Sequence, residues 1–110
     1  MGELAIGQRA TLTRTFAARE VGDDFVPCAL VGGLFSTLLG TRLPGRGTNW
    51  MKQSLRFCRR ARAGEPLTAT VEIVRLRPEK QLVNLRVVCC DARGALICEG
   101  ESLVMAREMA

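Results

Sequence analysis

The chain has 110 residues, which fits a single domain, and 47% of them are hydrophobic, as is ordinary for a globular protein. Its net charge of +5 permits an anionic partner, but the scattered arginines and low aromatic content do not favour nucleic acid. The sequence has no histidine, which excludes imidazole catalysis and histidine-containing metal sites. Five cysteines without CxxC spacing indicate reduced thiols in a cytoplasmic protein. We expect no metal and no cofactor.

The first predicted element is a strand over residues 10–16, where threonines alternate with apolar residues. Residues 25–40 then run for sixteen positions without a charge. A membrane span needs about 20 apolar residues, and Gly40 and Pro44 mark the end of a shorter helix. We therefore predict a long central helix, buried on nearly all sides within the domain, and no membrane span.

The remaining pattern predicts four strands. A loop over 41–48 connects the helix to the first of them, and turns at 59–66, 77–80 and 91–94 separate the strands. The four strands cover residues 49–58, 67–76, 82–90 and 95–105. The alternation slips at Val74 and Leu76, which indicates a bulge. One strand, one apolar helix and four strands predict an α+β hot-dog fold over residues 1–110, in which a curved antiparallel sheet of about five strands wraps around the helix.

Small residues share one side of the predicted helix at three- and four-residue spacing: Ala29, Gly32, Gly33, Ser36 and Gly40. Such a stripe lets a neighbouring backbone come close, so packing on a sheet is the simpler interpretation. The functional alternative is a ligand that lies along the groove, with the Ser36 hydroxyl directed at it.

Four stretches resemble the MaoC-like dehydratase family, and among its members the (R)-specific enoyl-CoA hydratases. They are IGQRATLTRTFAAREV (6–21), LFSTLLGTRLPGRGT (34–48), QSLRF (53–57) and GEPLTATVEIVRLRPEKQLVNLRV (64–87). The resemblance implies a hot-dog homodimer and a lyase of fatty acid metabolism. It would hydrate trans-2-enoyl thioesters, or dehydrate 3-hydroxyacyl thioesters, carried by coenzyme A or acyl carrier protein.

One segment departs from that family. The family carries its water-activating Asp and His in a long segment before the central helix, whereas only Gly22, Asp23 and Asp24 separate Val21 from Phe25 here. The resemblance therefore implies a protein that binds acyl thioesters and has lost, or strongly impaired, hydration.

By position, some binding roles carry over from the resemblance. Cys28 matches a glycine whose backbone N–H polarises the thioester carbonyl, and Ser36 matches a serine of the active-site wall. Gly32 and Gly33 lie between them along the predicted groove. A nucleophilic Cys28 thiol is the weaker interpretation, because no evident base supports it.

Asp23 and Asp24 are the carboxylates nearest to the predicted helix start. We interpret them as capping residues that suit the helix dipole. The alternative is that one of them acts as a base, which would make the protein a hot-dog thioesterase. A third possibility is a non-catalytic hot-dog module for dimerisation or binding. Several arginines are candidates for coenzyme A phosphates, although a solvated surface explains each equally well: Arg42, Arg46, Arg59, Arg60 and Arg62.

Overall fold

The computed structural model describes residues 4–45 and 48–106. In chain order the elements are β1 (Arg9–Thr15), α1 (Ala18–Val21), β2 (Phe25–Val26), α2 (Cys28–Thr41), β3 (Thr48–Phe57), β4 (Ala61–Arg62), β5 (Pro66–Arg77), a 3₁₀ turn (Pro78–Lys80), β6 (Leu82–Cys90) and β7 (Leu96–Ala106). The prediction of five main strands and one long helix is confirmed. Among these described residues, no helix has both the length and the hydropathy that crossing a bilayer requires.

The five long strands form one antiparallel sheet in the order β1-β5-β6-β7-β3. Alternate residues of β5 and β6 point inward and are fully buried, among them Val71, Ile73, Leu85 and Val87. Helix α2 packs on this inner face, so that the sheet and the helix share one core. This is the hot-dog arrangement expected from the order of the elements.

Two bulges interrupt the sheet. The ladder between β5 and β6 shifts at Val74, as the slipped alternation predicts, and Val74 is 41% exposed. The ladder between β3 and β7 shifts at Met51, where the sequence gives no comparable signal, and Met51 is 55% exposed. A bulge adds one unpaired residue and reverses the alternation, which explains why an apolar side chain in β3 faces outward.

Helix α2 is buried along one face and open along the other. Its buried residues are Val31, Leu34, Phe35, Leu38 and Leu39. Leu30 is 38% exposed, and Gly33, Ser36 and Gly40 are exposed as well. The expectation of burial on nearly all sides is therefore wrong for the single chain, because the sheet covers the helix from one direction only.

Three short elements were not predicted. Residues 17–21 form one helical turn in which the Glu20 carboxylate accepts a hydrogen bond from the Ala17 N–H, at 3.0 Å. The start of the predicted helix is instead the strand β2, and the predicted turn at 59–66 contains its partner β4. Strands of only two residues are too short to produce an alternation that can be recognised in the sequence.

Candidate functional site

A cleft of about 440 Å³ opens at the N-terminal end of α2. We call it the α2 cleft. Its lining is mostly apolar, with one carboxylate, two thiols and two guanidinium groups among the side chains. The lining residues are Asp23, Phe25, Val26, Pro27, Cys28, Val31, Phe57, Cys58, Arg59, Arg60, Ala61 and Ile97. Apolar walls with a few polar groups are typical of a ligand site.

The β2–β4 ribbon fixes where α2 begins. Phe25 pairs with Arg62 and Val26 with Ala61, and the Ala63 N–H extends the ribbon by donating to the Asp24 carbonyl at 2.9 Å. Pro27 follows in an extended conformation, with φ −58° and ψ 143°, and is the N-cap of α2. The helix therefore starts at the wall of the cleft.

The first turn of α2 has backbone N–H groups that find no acceptor within the helix. The Leu30 and Val31 N–H groups donate to the Pro27 carbonyl, at 3.0 and 3.4 Å. Cys28 and Ala29 precede them in the first turn, where an N–H group has no intrahelical acceptor. Cys28 lines the cleft, and the helix dipole favours negative charge at this end. The site thus suits an oxygen that is partly negative, such as a polarised carbonyl.

The capping role predicted for Asp23 and Asp24 is wrong. Pro27 is the N-cap, and α2 has no capping hydrogen bond from a side chain. The helix begins later than predicted, so both carboxylates lie in the turn between α1 and β2. The Asp23 carboxylate accepts the Asp24 N–H at 2.6 Å. Of the two, only Asp23 is among the residues that line the α2 cleft.

Two of the five thiols face the α2 cleft and are exposed, those of Cys28 and Cys58. Cys89 and Cys98 are buried free thiols at opposite positions of the ladder between β6 and β7. Burial raises the pKa of Cys89 to about 12 and that of Cys98 to about 11, because a thiolate loses its hydration there. No disulfide links the described cysteines.

A second pocket, also about 440 Å³, adjoins the cleft and is lined mainly by charged side chains. We call it the basic pocket. Its lining residues are Phe25, Arg59, Arg60, Arg62, Glu65, Asp91 and Arg93. The Arg60 guanidinium carbon lies 3.8 Å from the centre of the Phe25 ring, and that of Arg62 lies 5.9 Å from it. Three of the predicted phosphate-contact arginines therefore come together, and Arg93 joins them.

The other two predicted phosphate contacts do not belong to this group. Arg42 follows the far end of α2, where its guanidinium donates to the Thr11 carbonyl and ties the helix to β1. Arg46 lies outside the described residues. A role for Arg42 in phosphate binding stays a prediction, and its observed contact is structural.

The small residues of the predicted groove along α2 are not among those that line the cleft. Ser36 lies two turns beyond Cys28, about 12 Å along the axis at 1.5 Å per residue. It is exposed, as is Gly33, and neither lines the α2 cleft. Gly32 faces β3, where a β-carbon would lie 3.8 Å from Leu55 Cδ1. Binding by these three residues stays a prediction.

Sequence reasoning missed Phe25, Cys58, Arg93 and Ile97 as neighbours of the site. The uncharged run at 25–40 predicts a helix for Phe25, and DARG predicts a turn for Arg93. The available signal was the basic segment RRAR at 59–62, whereas the DARG turn at 91–94 carries one positive and one negative charge. Among residues 4–45 and 48–106, no group of three or more Cys, Asp or Glu side chains is arranged to hold a metal ion.

Sequence comparison places the chain next to characterised proteins, although no protein-family model matches it. The (R)-specific enoyl-CoA hydratase of Aeromonas caviae is 33% identical over 126 aligned positions, which cover 92% of this chain and 94% of that protein. The chain belongs to the (R)-specific enoyl-CoA hydratase family. A second relative of the same name, from Rhodospirillum rubrum, is 46% identical over 76 residues, or 69% of this chain, but only 52% of the relative's length is spanned.

Solved structures agree with this family. The (R)-hydratase from A. caviae involved in PHA biosynthesis superposes with a TM-score of 0.88 at 32% identity, covering 92% of this chain and 96% of that one. The unliganded R-hydratase PhaJ1 from Pseudomonas aeruginosa gives the same TM-score at 26% identity, covering 94% and 82% of the two chains. The MaoC-like resemblance and the hot-dog fold are therefore confirmed.

Proposed function

We propose that the protein binds an acyl thioester in the α2 cleft and has lost, or retains very little of, the hydration activity of its family. The observation that carries the proposal is the start of α2 at the wall of an apolar cleft, with the Cys28 N–H at the first helical position. Family membership supports the choice of an acyl thioester as ligand.

Hydration of an enoyl thioester needs one group that deprotonates water and one that protonates the α-carbon. The chain has no histidine, and Asp23 is the one carboxylate among the residues lining the α2 cleft. A single carboxylate, already accepting the Asp24 N–H, would have to perform both proton transfers. Binding without efficient hydration fits this set of side chains better than catalysis does.

The length of the alignment also supports a missing catalytic segment. The alignment with the A. caviae relative has 126 positions, whereas the aligned 92% of this chain amounts to about 101 residues. At about 25 aligned positions, therefore, the relative has a residue and this chain has none. We attribute these positions to the connection between β1 and α2. Here that connection is residues 16–27, which the MaoC-like resemblance implies is longer in active members and carries their Asp and His.

The Cys28→Pro variant tests the role of the backbone N–H. Proline has no N–H and is well tolerated at the first helical position. Pro27 already has the extended conformation that a following proline requires, so the helix should start normally. Cys28→Ala is the matched control, since it removes the thiol and keeps the N–H.

We expect Cys28→Pro to weaken binding of butyryl-CoA roughly tenfold, which corresponds to one hydrogen bond, while Cys28→Ala binds like the wild type. Isothermal titration calorimetry measures both affinities, and circular dichroism checks that both variants fold. Equal affinities of the two folded variants would refute the proposed carbonyl contact. If the wild type does not bind butyryl-CoA at millimolar concentration, the remaining interpretation is a non-catalytic module for dimerisation or binding.

A second candidate function, thioester hydrolysis, is favoured by one observation: Asp23 lines the α2 cleft and so lies where a base for water would be needed. Asp23→Asn should abolish release of free coenzyme A if this function holds. Asp24→Asn, whose side chain is not among the cleft lining, should leave that release unchanged. Release of coenzyme A that persists in Asp23→Asn would exclude Asp23 as the base.

We further propose that the protein is a homodimer. β3 is an edge strand of the sheet, and apolar side chains of α2 and β3 are exposed in the single chain, namely Leu30, Met51 and Phe57. A second copy would cover them, and closed twofold pairs are the commonest assembly. Light scattering coupled to gel filtration measures the mass in solution, which should be twice the 12.0 kDa of one chain for a dimer. A mass of one chain would contradict the dimer. A cytoplasmic location stays a prediction.

A further inference from the structure

We propose that Cys28 and Cys58 form a redox-sensitive pair, which oxidises to a disulfide that closes the α2 cleft. Neither the family relationship nor the cysteine spacing indicates such a modification site, since the two residues lie thirty positions apart in the chain. Formation of the bond does not depend on the proposed function. Only the effect of the bond on acyl thioester binding rests on that function.

The two exposed thiols come from different segments of the wall of one cleft. Cys28 is the first residue of α2, and Cys58 follows the end of β3, where its N–H donates to the Ile97 carbonyl at 2.8 Å. Both residues line the α2 cleft, and both are exposed. Each thiol is therefore held in position by a regular element while its side chain stays open to solvent.

The β2–β4 ribbon holds these two segments close together. Val26 pairs with Ala61, and antiparallel partners have Cα atoms about 4.5–5.5 Å apart. Cys28 lies two residues after Val26 and Cys58 lies three residues before Ala61, so both follow from the same end of the ribbon. A disulfide joins Cα atoms about 4.4–6.8 Å apart. The two segments therefore leave the ribbon at a separation that the bond can span.

A third thiol is a neighbour of both. The pKa of Cys98 is raised to about 11, first by burial and then by charge repulsion from Cys58 and Cys28. Repulsion of this kind weakens with distance, so the two exposed thiols lie near the same buried residue. Cys98 itself stays protonated at neutral pH and is shielded by burial, so it does not compete for the bond.

Positive groups surround the two exposed thiols. Arg59 and Arg60 line the α2 cleft beside Cys58, together with one carboxylate, that of Asp23. Cys28 lies in the first turn of α2, where the unpaired N–H groups are the positive end of the helix dipole. Accessible thiols in electropositive surroundings are typical of redox-sensitive cysteines, in which a second thiol captures the oxidised first one.

The oxidant is a hydroperoxide, and hydrogen peroxide is the simplest. One thiolate attacks a peroxide oxygen, the O–O bond breaks, and a sulfenic acid and one water form. The second thiol then attacks the sulfenic sulfur, the S–S bond forms, and the S–O bond breaks to release a second water. In sum, the two thiols lose two hydrogens and two electrons, and hydrogen peroxide is reduced to two waters. A dithiol reductant reverses the oxidation.

The test treats the reduced wild type with hydrogen peroxide and removes the excess with catalase. We expect the free thiols measured in denaturant to fall from five to three, and dithiothreitol to restore all five. After alkylation of the remaining thiols, non-reducing tryptic mapping should link peptide 20–42, which contains Cys28, to peptide 57–59, which contains Cys58. The denatured mass should stay that of one chain.

Calorimetry then compares butyryl-CoA binding to the oxidised and the reduced protein. We expect roughly tenfold weaker binding after oxidation, because the bridge takes up the space beside the Cys28 N–H. Equal affinities of the two forms would overturn closure of the cleft by the disulfide. Failure of the reduced protein to bind butyryl-CoA would refute the proposed function, and the peptide map alone would then decide whether the disulfide forms.

Three variants check the connectivity. Cys28→Ser and Cys58→Ser each remove one partner, and both should lose the linked peptides. Cys90→Ser is the matched control and should keep them, since Cys90 is half-buried and is not among the residues lining the α2 cleft. Circular dichroism checks that all three fold. The proposal is overturned if no linked peptides form in the wild type, if the link is to Cys98, or if the bond joins two chains.

Discussion

Gly100 in β7 gives a sharp test of how closely β3 packs against the sheet. A β-carbon at this position would lie 1.8 Å from the Ser54 carbonyl oxygen and 3.0 Å from Leu55 Cα, both of which are backbone atoms. Observed β-carbons do not come within 3.0 Å of another atom, so β3 would have to move outward by more than 1 Å in Gly100→Ala. That movement breaks the ladder where Leu55 pairs with Gly100.

The cost follows from two effects. Overpacking of this kind costs about 1–3 kcal/mol, and each backbone hydrogen bond lost costs about 1 kcal/mol. Alanine gives the unfolded chain less conformational entropy than glycine does, which stabilises the folded protein by about 0.5 kcal/mol. With one ladder hydrogen bond lost, we therefore expect the free energy of unfolding of Gly100→Ala to fall by about 1.5–3.5 kcal/mol.

Gly40→Ala is the matched control. Gly40 is an exposed residue of α2, where a β-carbon would meet no atom within 4 Å, so alanine should stabilise the helix by about 0.5–1 kcal/mol. Urea unfolding followed by far-ultraviolet circular dichroism measures both variants. The reasoning is refuted if Gly100→Ala unfolds within 0.5 kcal/mol of the wild type, or if Gly40→Ala is the less stable of the two.

Two further predictions concern the thiols. Burial raises the pKa of Cys89 from 9.0 to about 12, so its contribution to stability is complete below pH 9 and is lost as the pH rises toward 12. Between pH 9.5 and 11 the free energy of unfolding should fall about 1.4 kcal/mol per pH unit more steeply in the wild type than in Cys89→Ala; parallel slopes would contradict this. With iodoacetamide at pH 8, peptide mapping should find Cys28 and Cys58 labelled and Cys89 and Cys98 protected. Rapid labelling of either buried thiol in the folded protein would show that the core opens at β6 and β7.

The long elements could be predicted from the sequence because their patterns extend over many residues. The alternation in β5 and β6 identifies their buried faces, and its slip locates the bulge at Val74. The β2–β4 ribbon could not be predicted, since each strand has two residues and is held by pairing with a distant segment. That single omission moved the predicted helix start into the preceding segment and produced the incorrect capping role for Asp23 and Asp24.

The candidate site was predictable only in part. The binding position assigned to Cys28 follows from the family resemblance, and the arginines of residues 59–62 follow from their charge. Arg93 could not be placed beside them, because the pairing of β3 with β7 brings the turn between β6 and β7 next to residues 59–62, some thirty residues earlier in the chain. Proximity of this kind depends on sheet order, which local patterns do not specify.

The most direct test of the account is mass spectrometry of crotonyl-CoA after prolonged incubation with the purified protein, with the A. caviae hydratase as the active reference. We expect the thioester to remain unchanged under conditions in which calorimetry shows that butyryl-CoA is bound. A gain of one water with the thioester intact would contradict the account, since it would mean that hydration proceeds without the family's Asp and His.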